Sequence, residues 1–242
     1  MHALILAGGE GSRLAASGVP TPKALVPVGG VPQLVRLARV LDRAGADSLT
    51  CLLRRGVSLQ PVAVELARLR VPFHAHECLT PSSLHTLVQG LALMPPGDVF
   101  CSMVDTVMPP ADWQLAWTEA HALLSAGADA ALVVTPFVDD EHPLYAVRDR
   151  TGRVTRISDA PVPVPLVTGG VYAFGRRARD AAATTLAAGH ERMRTFLRLL
   201  VEEGQDVRSI EVRQVVDLDQ RRDLDLANAW QESCEEDDSS MT

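Results

Sequence analysis

Leu4-Ile5-Leu6-Ala7-Gly8-Gly9-Glu10-Gly11-Ser12-Arg13-Leu14 carries an apolar run directly into a glycine-rich turn that ends on a basic residue. The run from Met1 to Ala7 reads as a buried first strand. The glycines after it permit positive φ and a close backbone approach, so successive N–H groups can point into an anion, and Arg13 adds a charge-assisted donor. Two common nucleotide motifs are excluded. The dinucleotide fingerprint fails because Leu14 stands where its third glycine belongs, and the phosphate loop of the Walker type fails because no Gly-Lys-Ser/Thr follows.

Outward from this turn, the 242-residue chain uses arginine at every basic position but one, and that one is Lys23, ten residues after Arg13. An ammonium is a compact point charge that can sit on a single phosphate oxygen, whereas a guanidinium is a wide planar fork. Strand-like runs at 48–53, 99–104, 130–135 and 171–174 alternate with helix-like runs at 33–43, 84–94, 113–125 and 193–203. That rhythm favours a largely parallel α/β sheet. The run Val99 to Val104 ends at Asp105, which places a carboxylate at the carboxyl end of a buried strand, where open α/β sheets bind ligands. Asp105 alone would also suit a turn or a helix cap.

With Pro22-Lys23-Ala24-Leu25-Val26-Pro27-Val28-Gly29-Gly30-Val31-Pro32 added, the chain resembles the sugar-phosphate nucleotidyltransferases, which build nucleoside-diphosphate sugars. Their opening reads L-A-G-G-x-G-[ST]-R-L, followed by P-K-x-L-x-P-V-x-G-x-P. The step from Arg13 to Lys23 resembles this branch rather than the molybdopterin nucleotidyltransferases, whose step is much shorter. The resemblance implies an α/β fold, a Rossmann-like three-layer sandwich with a mostly parallel mixed sheet of the GT-A-like kind. It implies that Leu6, Ala7, Gly8, Gly9, Gly11 and Ser12 wrap a nucleoside triphosphate, that Arg13 grips its β- and γ-phosphates, and that Lys23 neutralises the α-phosphate. It also implies Asp105 as one ligand of Mg²⁺.

A second ligand, Asp217, resembles the family's late signature in Val216-Asp217-Leu218-Asp219, while Asp219 and Asp223 suit the capping of the last helix. Two carboxylates suffice for magnesium, which takes its other oxygens from water and phosphates. On the acceptor side the resemblance points to Tyr145, Asp159, Thr168 and Gly170. Leu144–Val147 and Arg153–Ile157, joined at Thr151-Gly152, read as a hairpin. Ser158-Asp159-Ala160-Pro161 stands where the family carries Val-Glu-Lys-Pro, and Thr168 where it carries asparagine, so the acceptor departs from an ordinary hexose 1-phosphate. Ser82 and Ser83 open a helix where the family binds the base; they suit capping and can offer hydroxyls.

The expected reaction joins a nucleoside triphosphate to a sugar 1-phosphate and releases pyrophosphate. Its rivals are transfer to a non-sugar phosphate (a cyclitol phosphate, phosphocholine or a phosphonate) and a catalytically inactive nucleotide-binding regulatory domain. The domain is expected over residues 1–231, with an acidic disordered tail at 232–242 that holds five of the seven net negative charges. A nearly neutral body offers no basic stripe for nucleic acid. Prolines at 161, 163 and 165 make the stretch from Asp159 a rigid arm that could cover the acceptor. His74, His76 and His85 lack a zinc-like ligand set, and the His74-x-His76 pair reads as a half-exposed strand edge. Four cysteines without C-x-x-C pairing, no secretory segment and no membrane-length apolar run suit a cytoplasmic protein with reduced thiols. A homo-oligomer is compatible with all of this.

Overall fold

The computed structural model describes residues 1–138 and 142–239, with side chains described through Trp230. The first half contains β1 (His2–Ala7), α1 (Ser12–Ala16), β2 (Pro27–Val28), β3 (Val31–Pro32), α2 (Gln33–Ala44), β4 (Leu49–Arg54), α3 (Ala63–Leu66), β5 (Phe73–Cys78), α4 (Ser83–Leu93), β6 (Val99–Met103), β7 (Thr106–Val107) and α5 (Pro110–Ser125). The second half adds β8 (Ala130–Thr135), β9 (Tyr145–Arg148), β10 (Val154–Ser158), β11 (Val167–Phe174), α6 (Arg176–Ala187), α7 (Met193–Glu202), β12 (Val207–Glu211), β13 (Val216–Asp217) and α8 (Arg221–Ser239). The acidic tail expected over 232–242 falls on the end of α8 and on residues beyond it, outside the described side chains.

The central sheet is mixed. Strands β5, β4, β1 and β6 run parallel side by side, β11 joins β6 antiparallel, and the β9–β10 hairpin and the parallel pair β8–β12 both attach to β11. Strand β1 is apolar on both faces because it is covered on both. Ala3 and Ile5 face the layer of α2 and α5, where Phe100 meets Trp117 with ring centroids 5.2 Å apart. Leu4 and Leu6 face the layer of α4, α6 and α7, where Phe174 meets Phe196 at 5.6 Å. The period-two alternation of one strand thus serves two helical layers, which is the three-layer sandwich anticipated from the sequence.

Helix α2 buries Leu34, Val35, Leu37, Ala38 and Leu41, a stripe at helical spacing, and stops at Gly45 in the left-handed conformation. The expected helices and strands recur within a few residues, except that β11 starts at Val167, earlier than the run at 171. Strand β12 and helix α6 were not anticipated. Histidines 74 and 76 lie on β5, the edge strand they suggested. Among the described residues no helix is long and apolar enough to cross a membrane.

Where α4 crosses the sheet, Gly90 allows the closest approach: a Cβ there would lie 2.8 Å from Leu4 Cδ1 and 3.1 Å from Leu52 Cδ2. Both leucines are fully buried. Gly90→Ala is therefore expected to destabilise the fold by about 1–3 kcal/mol through overpacking. Thermal unfolding should show the midpoint lower by roughly 2–10 °C.

Candidate active site

The carboxyl ends of β1 and β6 open into one cleft, and the two turns that leave them supply its floor. After β1, Gly11 takes φ 65°, a left-handed position that lets the chain turn into α1. A Cβ at Gly11 would stand 3.3 Å from Lys23 Cγ, so the glycine also lets the loop lie against the lysine. Lys23 sits in a tight turn over Lys23–Leu25, its side chain only 12 % exposed.

Past β6, Asp105 is fixed by a short ribbon in which β7 and β13 run antiparallel, with Asp217 opposite Thr106. The Leu218 amide donates to the Asp105 carbonyl at 3.0 Å, and the buried Thr106 hydroxyl donates to Asp217 Oδ1 at 3.0 Å. The ribbon approaches β11 only because Gly169 and Gly170 lack side chains. A Cβ on Gly169 would fall 2.7 Å from Val215 Cγ2, and one on Gly170, at φ 68°, would collide with the Thr106 hydroxyl.

This frame brings two cations and two carboxylates together. Lys23 Nζ lies 2.6 Å from Asp105 Oδ2 and 2.5 Å from Asp219 Oδ1, while Arg13 Nη1 lies 2.7 Å from Asp219 Oδ2. Burial alone would push the Lys23 ammonium down, but the Asp105 and Asp219 carboxylates outweigh it and hold the pKa above the ordinary lysine value. Asp219 is a correction to the capping role expected for it: its carboxylate turns to Lys23 and Arg13. Asp223 does the local work instead, accepting the amides of Asp219 at 3.0 Å and Gln220 at 2.6 Å.

The cleft, of about 760 Å³, is lined on this side by Gly9, Glu10, Gly11, Ser12, Arg13, Lys23, Asp105, Asp217 and Asp219. Its other wall carries Thr168, Gly170 and Tyr172 from β11 and Arg192 and Arg194 from the start of α7. A second lobe of about 470 Å³ runs between the glycine turn and α4, lined by Leu6, Gly8, Arg54, Thr80, Ser82 and Ser83. Ala7 belongs to the core beneath the turn.

Several sequence expectations find other partners here. Ser82 does not cap α4; its hydroxyl donates to the Glu191 carbonyl and meets His85 Nδ1 at 2.8 Å. The Ser83 hydroxyl accepts the Met193 amide at 3.1 Å, so both serines tie α4 to the segment before α7. Tyr145 is buried in a small apolar cluster with Val162 and Val167, away from the cleft lining. Val162 belongs to the proline arm, which packs against β9 and β11 and is absent from the cleft wall. Asp159 is engaged by Arg194 at 2.7 Å and by Arg198. Arg54, Arg192, Arg194 and the cation-facing role of Asp219 were missed. An arginine on a strand end or a helix start carries no local signal of the cavity it borders.

The cysteines 51, 78 and 101 are free and buried, and burial raises each thiol above its ordinary pKa, so none is poised as a nucleophile. Cys234 lies outside the described side chains. The carboxylates of the cleft suit the Mg²⁺ that the resemblance implies. The donor set is all oxygen and anionic, as that cation requires, and Asp105 and Asp219 already converge on one positive charge, the Lys23 ammonium. Among the described residues no three histidine, cysteine or carboxylate groups form a complete metal site. The set therefore fits an ion that takes its remaining oxygens from phosphate and water.

A family model described as "MobA-like NTP transferase domain" matches residues 3–206. Many solved structures share the fold, two of them as follows. An inositol-1-phosphate CTP transferase from T. maritima superposes with a TM-score of 0.76 at 17 % identity, over 96 % of this chain and 96 % of that one. A putative glucose-1-phosphate thymidylyltransferase from Bacillus anthracis, in complex with a sucrose, gives 0.78 at 16 % identity, over 95 % of this chain and 94 % of that one. No curated protein sequence matches the chain.

Proposed function

The chain belongs to the MobA-like NTP transferase domain family, and from that premise we propose that it joins a nucleoside triphosphate to a sugar 1-phosphate with release of pyrophosphate. The observation that carries this reading is the position of Lys23: a largely buried ammonium between Asp105 and Asp219, beside the glycine turn and within reach of the group that Arg13 also touches. An anionic acceptor needs no general base, so the chemistry reduces to positioning and charge neutralisation.

The acceptor phosphate attacks the α-phosphorus in line, and the bond to the β-phosphate oxygen breaks. The turn Gly8–Ser12 presents amides to the triphosphate, and Arg13 exchanges its contact with Asp219 for the β- and γ-phosphates. Lys23 neutralises charge that builds on the α-phosphate. Asp105 and Asp217 would hold Mg²⁺, which would supply further charge neutralisation on the phosphates, while Asp219 keeps Lys23 beside them. The second lobe beside Ser82 and Ser83 has room for the base.

A second reading, transfer to a non-sugar phosphate, is favoured by one observation: Asp159 is ion-paired to two arginines and is not among the residues that line the cleft, so it is not placed to accept from sugar hydroxyls there. Both readings meet one experiment, pyrophosphate release by the purified chain with Mg²⁺, each nucleoside triphosphate, and a panel of sugar 1-phosphates, cyclitol phosphates, phosphocholine and phosphonates. Release is expected for one pair, abolished by chelation and absent in Asp105→Ala. Triphosphate binding without release across the panel would instead favour a regulatory domain.

A further inference from the structure

We infer that Arg192 and Arg194 receive the phosphate of the acceptor, and that Asp159 is a positioning residue that holds Arg194 at the cleft. This rests on the nucleotidyl-transfer reading above and adds the groups that recognise its second substrate.

The two walls of the cleft differ in charge. On the wall of the glycine turn, four carboxylates (Glu10, Asp105, Asp217 and Asp219) face two cations, Arg13 and Lys23, and both cations already lie on carboxylate oxygens. An acceptor phosphate that approaches this wall meets net negative charge. Desolvating a phosphate dianion without cationic donors is costly, so its charge must be met from the facing wall. Among the described residues there, Arg192 and Arg194 are the lysine or arginine side chains.

Their settings suit the task. Arg194 Nη1 lies 2.7 Å from Asp159 Oδ1, its Nη2 donates to the His142 carbonyl at 3.2 Å, and its side chain is 36 % exposed. That fixes the fork and leaves N–H donors over. Arg198 takes the other oxygen of Asp159, so one carboxylate is shared by two guanidiniums and the trio stays positive. Arg192, one residue before α7, is exposed and has no ion-pair partner among the described residues. A solvated surface arginine would not be expected to carry the two directed contacts of Arg194.

The same contacts bear on substrate class. Both oxygens of Asp159 are occupied, and Tyr145 is packed away from the cleft. On this wall the planar forks of Arg192 and Arg194 read the anion of a phosphate monoester or phosphonate, and the hydroxyls of Thr168 and Tyr172 are left to meet the rest of the acceptor.

Isothermal titration of the intact chain tests this, with Mg²⁺ and a non-cleavable α,β-methylene triphosphate, against glucose 1-phosphate, inositol 1-phosphate, phosphocholine and 2-aminoethylphosphonate. The wild type is expected to bind at least one of these. Arg194→Ala and Arg192→Ala should each weaken that binding by about 10- to 100-fold, as loss of a charged hydrogen bond does, with triphosphate affinity held within twofold. Arg194→Lys should recover part of the loss, and Asp159→Asn should give a smaller one. Unchanged affinity in both arginine variants overturns the inference, as does a wild type that binds triphosphate and none of the probes. A wild type that binds no triphosphate overturns the transfer reading itself, and this inference with it.

Discussion

Lys23→Ala is expected to lower kcat by roughly 100- to 1,000-fold, the scale for deleting one preorganised charge from a transition state, while the nucleotide dissociation constant moves much less. The ammonium already touches Asp105 and Asp219 at hydrogen-bond distance, so a triphosphate gains its contact by partial exchange, and the larger gain comes as charge grows on the α-phosphate. Single-turnover rates beside calorimetric nucleotide binding separate the two effects. Equal losses in both would make Lys23 a binding residue. Lys23→Arg should not restore turnover, because a planar fork cannot occupy the place of a point charge between two carboxylates.

The pH profile gives an independent reading. The folded pKa of Lys23 is raised, so folding favours its charged form. That stabilisation is fully present below the ordinary lysine pKa and is lost only as pH rises through the raised value. Activity should therefore show no alkaline limb from Lys23 below pH of about 10, and a limb near 8 would assign the titrating group elsewhere.

Much of this was legible in the sequence, and the reason is local. The apolar run of β1, the glycine turn, Arg13 and the strand ending at Asp105 each state their structure within about ten residues. The helical stripes of α2 and α7 do the same, and so does the Thr151-Gly152 turn of the hairpin. What could not be read depends on pairings across the chain. In Asp217-Leu218-Asp219 nothing local says which carboxylate meets the cations. The pairing of β13 with β7 commits Asp217 to Thr106, and Asp223 clamps the turn so that Asp219 faces Lys23 across 196 positions of sequence. The burial phase of α7 was readable from Met193, Phe196, Leu197 and Leu200. That its opposite edge borders the cleft follows only from how α7 packs beside α4 and α6. Strand β12, with its mixed sequence Val-Arg-Ser-Ile-Glu, is a strand because β8 lies beside it in parallel register.

The carboxylates carry the second large effect. Asp105→Asn is expected to reduce turnover with Mg²⁺ by on the order of a thousandfold, since it removes one negative donor from the oxygen set and one partner of a largely buried ammonium. Asp219→Asn should fall in the same direction, because its two oxygens hold Lys23 and Arg13 in place. Asp217→Asn should cost turnover as well, while leaving Lys23 paired. Chelated solution gives a reading of opposite sign. Without a divalent ion, a triphosphate is repelled by these carboxylates, so either Asp105→Asn or Asp219→Asn should bind nucleotide more tightly than the wild type in EDTA. A gain there together with a loss of turnover in Mg²⁺ identifies a lost ion site in an intact cleft. A loss in both conditions would mean that the carboxylates hold the architecture of Arg13 and Lys23, and the ion would need other ligands.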